Sequence, residues 1–279
     1  MQNNSVKLYI KIFTLILAVV ILTVAGNAGS ANEMQATNQI NRSNIVKASE
    51  KDLIDEVLGL EKKSKEATTE YVSKLGMIHF RALKLEHKLS EINSNKMQIQ
   101  NAIDNDKLMF IGNSLVEGLR LNNNSNNQFY CKVGISLSGL KSKIYTQIDN
   151  ADFDVAIIEM GTNELGGWSE DDFKSSYFDL IDHILSNNPS AQVICLSIPP
   201  VSANKNNSGT RFNNSNVVKY NNWVEDIATT LDQTTYLDCS DFFGNVLNSS
   251  WTGDGIHLSG NIYADWYNYI IDKLGQLYN

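Results

Sequence analysis

The residues whose types and spacing could do chemistry together lie near opposite ends of the segment 107–279. An apolar run, Leu108-Met109-Phe110-Ile111, leads directly into Gly112-Asn113-Ser114-Leu115, and Asp254-Gly255-Ile256-His257 stands close to the C-terminus. A serine hydroxyl is a weak nucleophile until a base removes its proton, and an imidazole is an effective base only when another group orients it. Ser114, His257 and Asp254 supply nucleophile, base and orienting carboxylate. Each residue also has a plainer reading. A serine after a glycine at a strand end is commonly a turn residue or helix N-cap, and Asp-Gly is commonly a turn.

These groups need a frame, and the chain from residue 107 onward provides one. Stretches 108–111, 129–133, 155–160, 193–198 and 235–237 read as strands. Between and after them, 115–121, 137–148, 170–186, 217–231 and 259–277 carry helical patterns. Such alternation predicts an α/β domain whose parallel sheet is covered on both faces, and near-continuous apolar strands fit that burial. Active sites of open parallel sheets lie at the carboxyl ends of the strands. Ser114, Gly134 and Gly161 all fall at such ends.

Composition narrows the function further. With 279 residues and 42% apolar content the chain can bury a substantial core, while a formal charge of −8 argues against a nucleic-acid partner. Three cysteines are too few, and odd in number, for a disulfide scaffold. Cys131, Cys195 and Cys239 each sit in a strand-like run and read as buried, unreactive small hydrophobes. His79 and His87 lack neighbouring ligand-type residues, so no metal site is expected there.

The first hundred residues are of different material. Lys7 and Lys11 precede or flank an apolar run at 12–24, followed by small residues to Ala31. This pattern predicts that residues 1–31 are an export signal, either a cleaved signal peptide or an uncleaved membrane anchor. The chain beyond it is expected outside the cytoplasm. Residues 32–106 are polar and free of proline. From Tyr71 the apolar positions Leu75, Ile78, Ala82, Leu85, Leu89, Ile92, Ile99 and Ile103 recur at intervals of three and four, with Lys96 in the gap. That seam predicts a helical spacer: a coiled coil that a second copy could share, or helices packed on the following domain, with Asn93-Ser94-Asn95 as a candidate turn.

The segment 107–279 resembles the SGNH hydrolases, also called GDSL esterases and lipases. Gly112-Asn113-Ser114-Leu115 stands where that family has Gly-Asp-Ser-Leu. Gly134 matches its second-block glycine, Gly161-Thr162-Asn163-Glu164 its Gly-x-Asn-Asp, and Asp254-Gly255-Ile256-His257 its Asp-x-x-His. Ile198-Pro199-Pro200 and Tyr220-Asn221 are weaker agreements between them. Four blocks in the family's order outweigh the plainer readings of each residue alone. The resemblance implies a three-layer α/β/α, flavodoxin-like fold with a five-stranded parallel sheet. It also implies a Ser114–His257–Asp254 triad. The backbone N–H groups of Ser114 and Gly134 and the side-chain amide of Asn163 would form the oxyanion hole. Asn113 departs from the family aspartate and Glu164 from another, and neither change removes a catalytic group.

The implied activity is a serine esterase acting through an acyl-enzyme, with no metal or dissociable cofactor. The polar loop at 201–216, together with Gly166-Gly167-Trp168 and Trp251, suits a sugar surface better than a long acyl chain. The expected substrate is therefore a small acyl ester, acetyl foremost, on carbohydrate or cell-envelope polymers. An O-acyltransferase would use the same triad. A lysophospholipase or lipase would need an apolar tunnel. In a non-catalytic binding or assembly protein, the helical spacer would be the working part.

Overall fold

The computed structural model describes residues 51–56 and 68–277. The chain divides into two compact units, Met1–Ile92 and Asn93–Asn279. The apolar segment at 1–31, and the signal-or-anchor expectation with it, lies outside the described residues. No helix among the described residues is long and apolar enough to cross a membrane.

In the first unit residues 51–56 are helical, and helix α1 opens at Thr68. Arg81 Nη1 donates to Glu56 Oε2 at 2.9 Å, and Leu53 and Ile78 are buried. The seam residues Leu75, Ala82, Leu85, Leu89 and Ile92 are partly sheltered, whereas Met77, Phe80 and Leu83 off the seam are exposed. Helix α1 continues to Asp104, so the candidate turn at Asn93-Ser94-Asn95 is not formed. Polar residues of this kind cost a helix only up to about 0.7 kcal/mol each relative to alanine. The turns that follow are held by burial of Ile99 and Ala102.

The second unit is the α/β domain. Strands β1 (Leu108–Gly112), β2 (Gln128–Cys131), β3 (Val155–Glu159), β4 (Gln192–Leu196) and β5 (Thr234–Leu237) form one parallel sheet in the order β2-β1-β3-β4-β5. This is the flavodoxin-like order, which reverses direction between β1 and β3. The helices are α2 (Ser114–Leu121), α3 (Leu137–Lys143), α4 (Tyr145–Ile148), α5 (Glu170–Asn187) and α6 (Ala203–Asn206). They continue with α7 (Asn214–Thr230), α8 (Ser240–Phe243) and α9 (Gly260–Gln276). The helix expected over 137–148 is broken at Ile144, whose φ of −126° and ψ of −31° depart from helical values.

Strand alternation explains the three layers. Met109, Ile111, Ala156, Ile158, Val193 and Cys195 point to one face, where α3, α4, α5 and α7 cover them. Leu108, Phe110, Val155, Ile157, Ile194 and Leu196 point to the other, beneath α2, α9, α8 and the last turns of α1. β1, β3 and β4 are buried along their whole length. The loops at their carboxyl ends are thereby anchored on a rigid base.

Candidate active site

Ser114 is the first residue of α2, immediately after β1. The side chain of Asn113 caps that helix, its Oδ1 accepting the Leu115 N–H at 2.8 Å. An amide oxygen serves this purpose as well as a carboxylate, which accounts for asparagine at this position. The turn from β1 into α2 also requires glycine before it. A Cβ on Gly112 would lie 2.2 Å from Val116 Cγ2 and 2.6 Å from the Glu159 carbonyl. As the first residue of a helix, Ser114 has an N–H with no acceptor within that helix.

His257 and Asp254 come from the loop between a 3-10 turn at Ser249–Trp251 and α9. A single antiparallel bridge, Thr252 to Leu258, closes this loop. Asp254 Oδ1 accepts the backbone N–H groups of Ile256 and His257 at 2.9 and 2.8 Å. Its Oδ2 lies 2.6 Å from His257 Nδ1. His257 Nε2 in turn lies 2.8 Å from Ser114 Oγ, across 143 residues of sequence. Burial alone would raise the Asp254 pKa, but the bonds from the imidazole and the two backbone N–H groups outweigh it and hold the carboxyl at about 2. The carboxylate therefore stays charged across the working pH range. Gly255 makes the tight turn at φ +87°, where a Cβ would lie 2.7 Å from both Lys205 Cβ and Ser202 Oγ. Ser202 pins the loop by donating its N–H to the Gly255 carbonyl at 3.0 Å.

The third side of the site is built from the loops after β2 and β3. Gly134 adopts φ +74° and is exposed, with nothing within 4 Å of a hypothetical Cβ. Asn163 Nδ2 donates to the Ile135 carbonyl at 2.6 Å, and Glu164 Oε1 accepts the Leu137 N–H at 2.6 Å. Two consecutive side chains on one loop thus grip the loop that bears Gly134. The Asn163 loop is held from behind as well. Arg211 Nη1 donates to the Asn163 and Leu165 carbonyls at 2.7 and 3.1 Å, and the Tyr220 hydroxyl lies 2.9 Å from the Glu164 carbonyl. Tyr220, one of the weaker agreements in the sequence, thus braces the loop that bears Asn163. Asn221 makes both of its amide bonds to Ile198, 2.7 Å to the N–H and 3.0 Å to the carbonyl.

Sequence reasoning did not identify Arg211, Thr252 or Glu159. Thr252 Oγ1 accepts the Gly255 N–H at 2.9 Å and completes the Asp254 turn. Glu159 is fully buried at the end of β3, and a charged residue inside the apolar run 155–160 was the available signal. Of the cysteines, Cys195 and Cys239 are buried as expected, but Cys131 is only partly so. It donates Sγ–H to Glu117 Oε2 at 3.0 Å, and burial followed by that bond pushes its thiol up to about 12. Among the described residues no group of three or more His, Cys, Asp or Glu could hold a metal ion.

The doubly wound sheet thus carries a serine, an imidazole and a carboxylate in line beside its switch point. The model of the GDSL-like Lipase/Acylhydrolase family matches residues 110–264, and the chain is a member of that family, a carboxylic ester hydrolase. Among solved structures it is similar to one from Streptococcus pneumonia described as a platelet activating factor. They share 19% identity and a TM-score of 0.54, covering 69% of this chain and 98% of that one. A GDSL-like lipase from Bacteroides thetaiotaomicron gives 18% identity and a TM-score of 0.47 over 61% and 90% of the two chains. A carbohydrate esterase family 3 structure from Talaromyces cellulolyticus gives 18% and 0.47 over 61% and 97%. At such identities the likeness is one of fold. No curated protein matches the chain.

Proposed function

We propose that this esterase removes small acyl groups, acetyl foremost, from carbohydrate or cell-envelope polymers through an acyl-enzyme on Ser114. The observation that carries this reading is the in-line relay from Ser114 Oγ to His257 Nε2 at 2.8 Å and from His257 Nδ1 to Asp254 Oδ2 at 2.6 Å. As Ser114 Oγ attacks the ester carbonyl, its proton passes to His257 Nε2. Asp254 stays ionised and stabilises the resulting imidazolium. The negative charge on the carbonyl oxygen is met by the N–H groups of Ser114 and Gly134 and by the Asn163 amide hydrogen not engaged by Ile135. The tetrahedral adduct collapses, the alkoxide leaves with the proton from His257, and the acyl group remains on Ser114. Water activated by the same imidazole then attacks the acyl-enzyme, releasing the carboxylic acid and restoring the serine.

Two features favour a small acyl group on a polar alcohol. The segments 161–168, 201–216 and 248–257, which flank the site residues, are rich in amides, hydroxyls and glycines. Asp254 and His257 remain about half exposed, with side chains at 53% and 45%, so a bulky substrate can reach them. The same proposal puts the enzyme outside the cytoplasm, on the strength of the flanked apolar run at 12–24, with the seam on α1 acting as a spacer.

The test is hydrolysis of p-nitrophenyl acetate, butyrate and longer esters by the full-length protein, beside Ser114→Ala. It is paired with acetate release from an O-acetylated polysaccharide. Activity that is highest on acetate and abolished in Ser114→Ala is the expected result. Rates rising with chain length would move the substrate to lipid. Transfer of acetyl to an added sugar in place of water would make the enzyme an O-acyltransferase.

A further inference from the structure

Beneath the nucleophile lies a carboxyl group that the mechanism above does not use. Glu159 is the last residue of β3, paired in register with Gly112, and its side chain is fully buried. One oxygen, Oε1, lies 3.5 Å from Thr162 Oγ1, the residue before Asn163. The other, Oε2, has no hydrogen-bond partner among the described residues, and neither does Nδ2 of the equally buried Asn113, the residue before Ser114. The unpaired acceptor and the unpaired donor are complementary, and Asn113 is among the side chains whose hydrogen bonding acts on the Glu159 carboxyl. The carboxyl thus sits below two turns at once, the one bearing the nucleophile and the one bearing the oxyanion amide.

We propose that Glu159 is a positioning residue for the ester hydrolysis: its carboxyl, seated between Asn113 and Thr162, sets the Ser114 turn against the Asn163 turn. This inference rests on Ser114 being the nucleophile. The group acts in its neutral form. Burial, and after it the negative Glu164, push its pKa up to about 8, while Thr162 and Asn113 pull the other way and lose. A neutral acid adds no charge where the oxyanion forms. Its ionisation would place a negative charge under the site and oppose the transition state.

Other titratable groups that interact with Glu159 lie on α5, on α9, just before α8 and on the loop after β3. Tyr177 on α5 is raised well above its ordinary value, chiefly by burial. Cys239 before α8 and Tyr263 on α9 are each raised to about 12, again chiefly by burial. None of these three ionises near pH 8. Glu164, on the loop after β3, is raised by burial as well and needs its own control.

The experiment is kcat and KM for p-nitrophenyl acetate from pH 6 to 9.5 on the full-length protein and on Glu159→Ala, Glu159→Gln, Glu164→Gln and Ser114→Ala. Unfolding is followed for each. For the wild type, kcat should fall as pH rises through about 8. Glu159→Ala should lower kcat about 10-fold or more at similar KM, the scale expected when the reacting geometry loosens. Glu159→Gln, neutral and of the same shape, should restore kcat and abolish the alkaline fall, whereas Glu164→Gln should retain it. An alkaline fall that persists in Glu159→Gln overturns the proposal, as does a fall that vanishes in Glu164→Gln. Should Glu159→Gln fail to fold, Asn113→Asp gives the second reading. The added carboxylate must move the alkaline limb to higher pH, and a limb that stays put overturns the role. Ser114→Ala separates the two readings. If it is inactive while Glu159→Gln keeps the wild-type profile, only the role of Glu159 fails. If it is active, the nucleophile assignment fails and this inference with it.

Discussion

The Asn163 side-chain amide donates to the Ile135 carbonyl at 2.6 Å, so one of its two hydrogens is committed to fixing the group in place. The amide is thereby aimed before substrate arrives, which is what makes an oxyanion donor effective, since no reorganisation is needed during the reaction. Asn163→Ala should lower kcat by about 10²–10³ with little change in KM. Asn163→Asp keeps the size but removes the donor, and it should do no better. Steady-state kinetics on p-nitrophenyl acetate check this. A variant whose loss appears in KM with kcat intact would mean the amide binds ground state and oxyanion alike.

Asp254 should matter through orientation more than through proton transfer. Its carboxyl accepts two backbone N–H groups and the imidazole together, and these bonds hold it at about 2 against the opposing effect of burial. Asp254→Asn removes the charge and favours the wrong imidazole tautomer, so kcat should fall by about 10⁴ while the fold survives. A depressed carboxyl pKa stabilises the fold above the ordinary value of 3.8, and that contribution is lost as pH falls through about 2. Unfolding curves between pH 5 and 2 should therefore converge for wild type and variant at the acid end. Curves that stay separate would show the pairing is not what stabilises the loop.

The fold was largely legible because the chain's strands are buried on both faces and therefore read as apolar runs at 108–111, 155–160 and 193–198. The proposed Ser114–His257–Asp254 relay was legible for a related reason. Ser114 stands at the end of such a run, and Asp254 and His257 share one short Asp-x-x-His block, so each was legible locally although Ser114 and His257 meet across 143 residues. What stayed hidden was the scaffolding between loops. The grip of Asn163 on Ile135 and of Glu164 on Leu137 joins positions 27 or 28 residues apart through side-chain-to-backbone bonds, which leave no periodicity to read. Arg211, 48 residues from Asn163, is hidden for the same reason. The helix through Asn93-Ser94-Asn95 illustrates the reverse error: local turn chemistry was overridden by burial of Ile99 and Ala102 just beyond it.

Glu159 also makes a prediction about stability that is independent of turnover. The unfolded chain gives up this proton near the ordinary carboxyl value of 4.5, while the folded protein keeps it until about 8. Between those limits the folded state binds more protons than the unfolded one, so stability falls as pH rises. Chemical denaturation at pH 5, 6, 7 and 8 should show wild type losing stability across the series and Glu159→Gln losing less. Parallel curves would mean the buried carboxyl ionises without penalty.

Gly112 is required for space, at an ordinary backbone conformation. A methyl group there would lie 2.6 Å from the Glu159 carbonyl oxygen, a backbone atom of β3 that cannot swing aside, and 2.2 Å from Val116. Gly112→Ala should cost about 1–3 kcal/mol as an overpacked site and should misplace Ser114, two residues on. Thermal unfolding together with kcat reads both effects. A variant of native stability and full activity would show that β1 and β3 can separate more easily than their buried pairing implies.

The last turns of α1 belong to the esterase unit, and this decides where an active fragment can begin. Ile99 and Ala102 are 1% and 0% exposed and pack in one cluster with Leu108 on β1 and Leu274 on α9. Gln98 Nε2 adds bonds to the Asp154 and Ser190 carbonyls at 3.1 and 2.7 Å, tying α1 to the chain ahead of β3 and of β4. Removing these turns would uncover one face of the sheet beside β1, the strand that leads into Ser114. A fragment starting at Asn93 should fold and keep full esterase activity, whereas one starting at Lys107 should be markedly less stable. Ile99→Ala in the longer fragment should cost about 2–5 kcal/mol, the range for truncating a buried isoleucine. Urea unfolding of the two fragments and the variant provides the measurement. Equal midpoints for the fragments starting at Asn93 and Lys107 would show that these turns only cover the sheet without holding it.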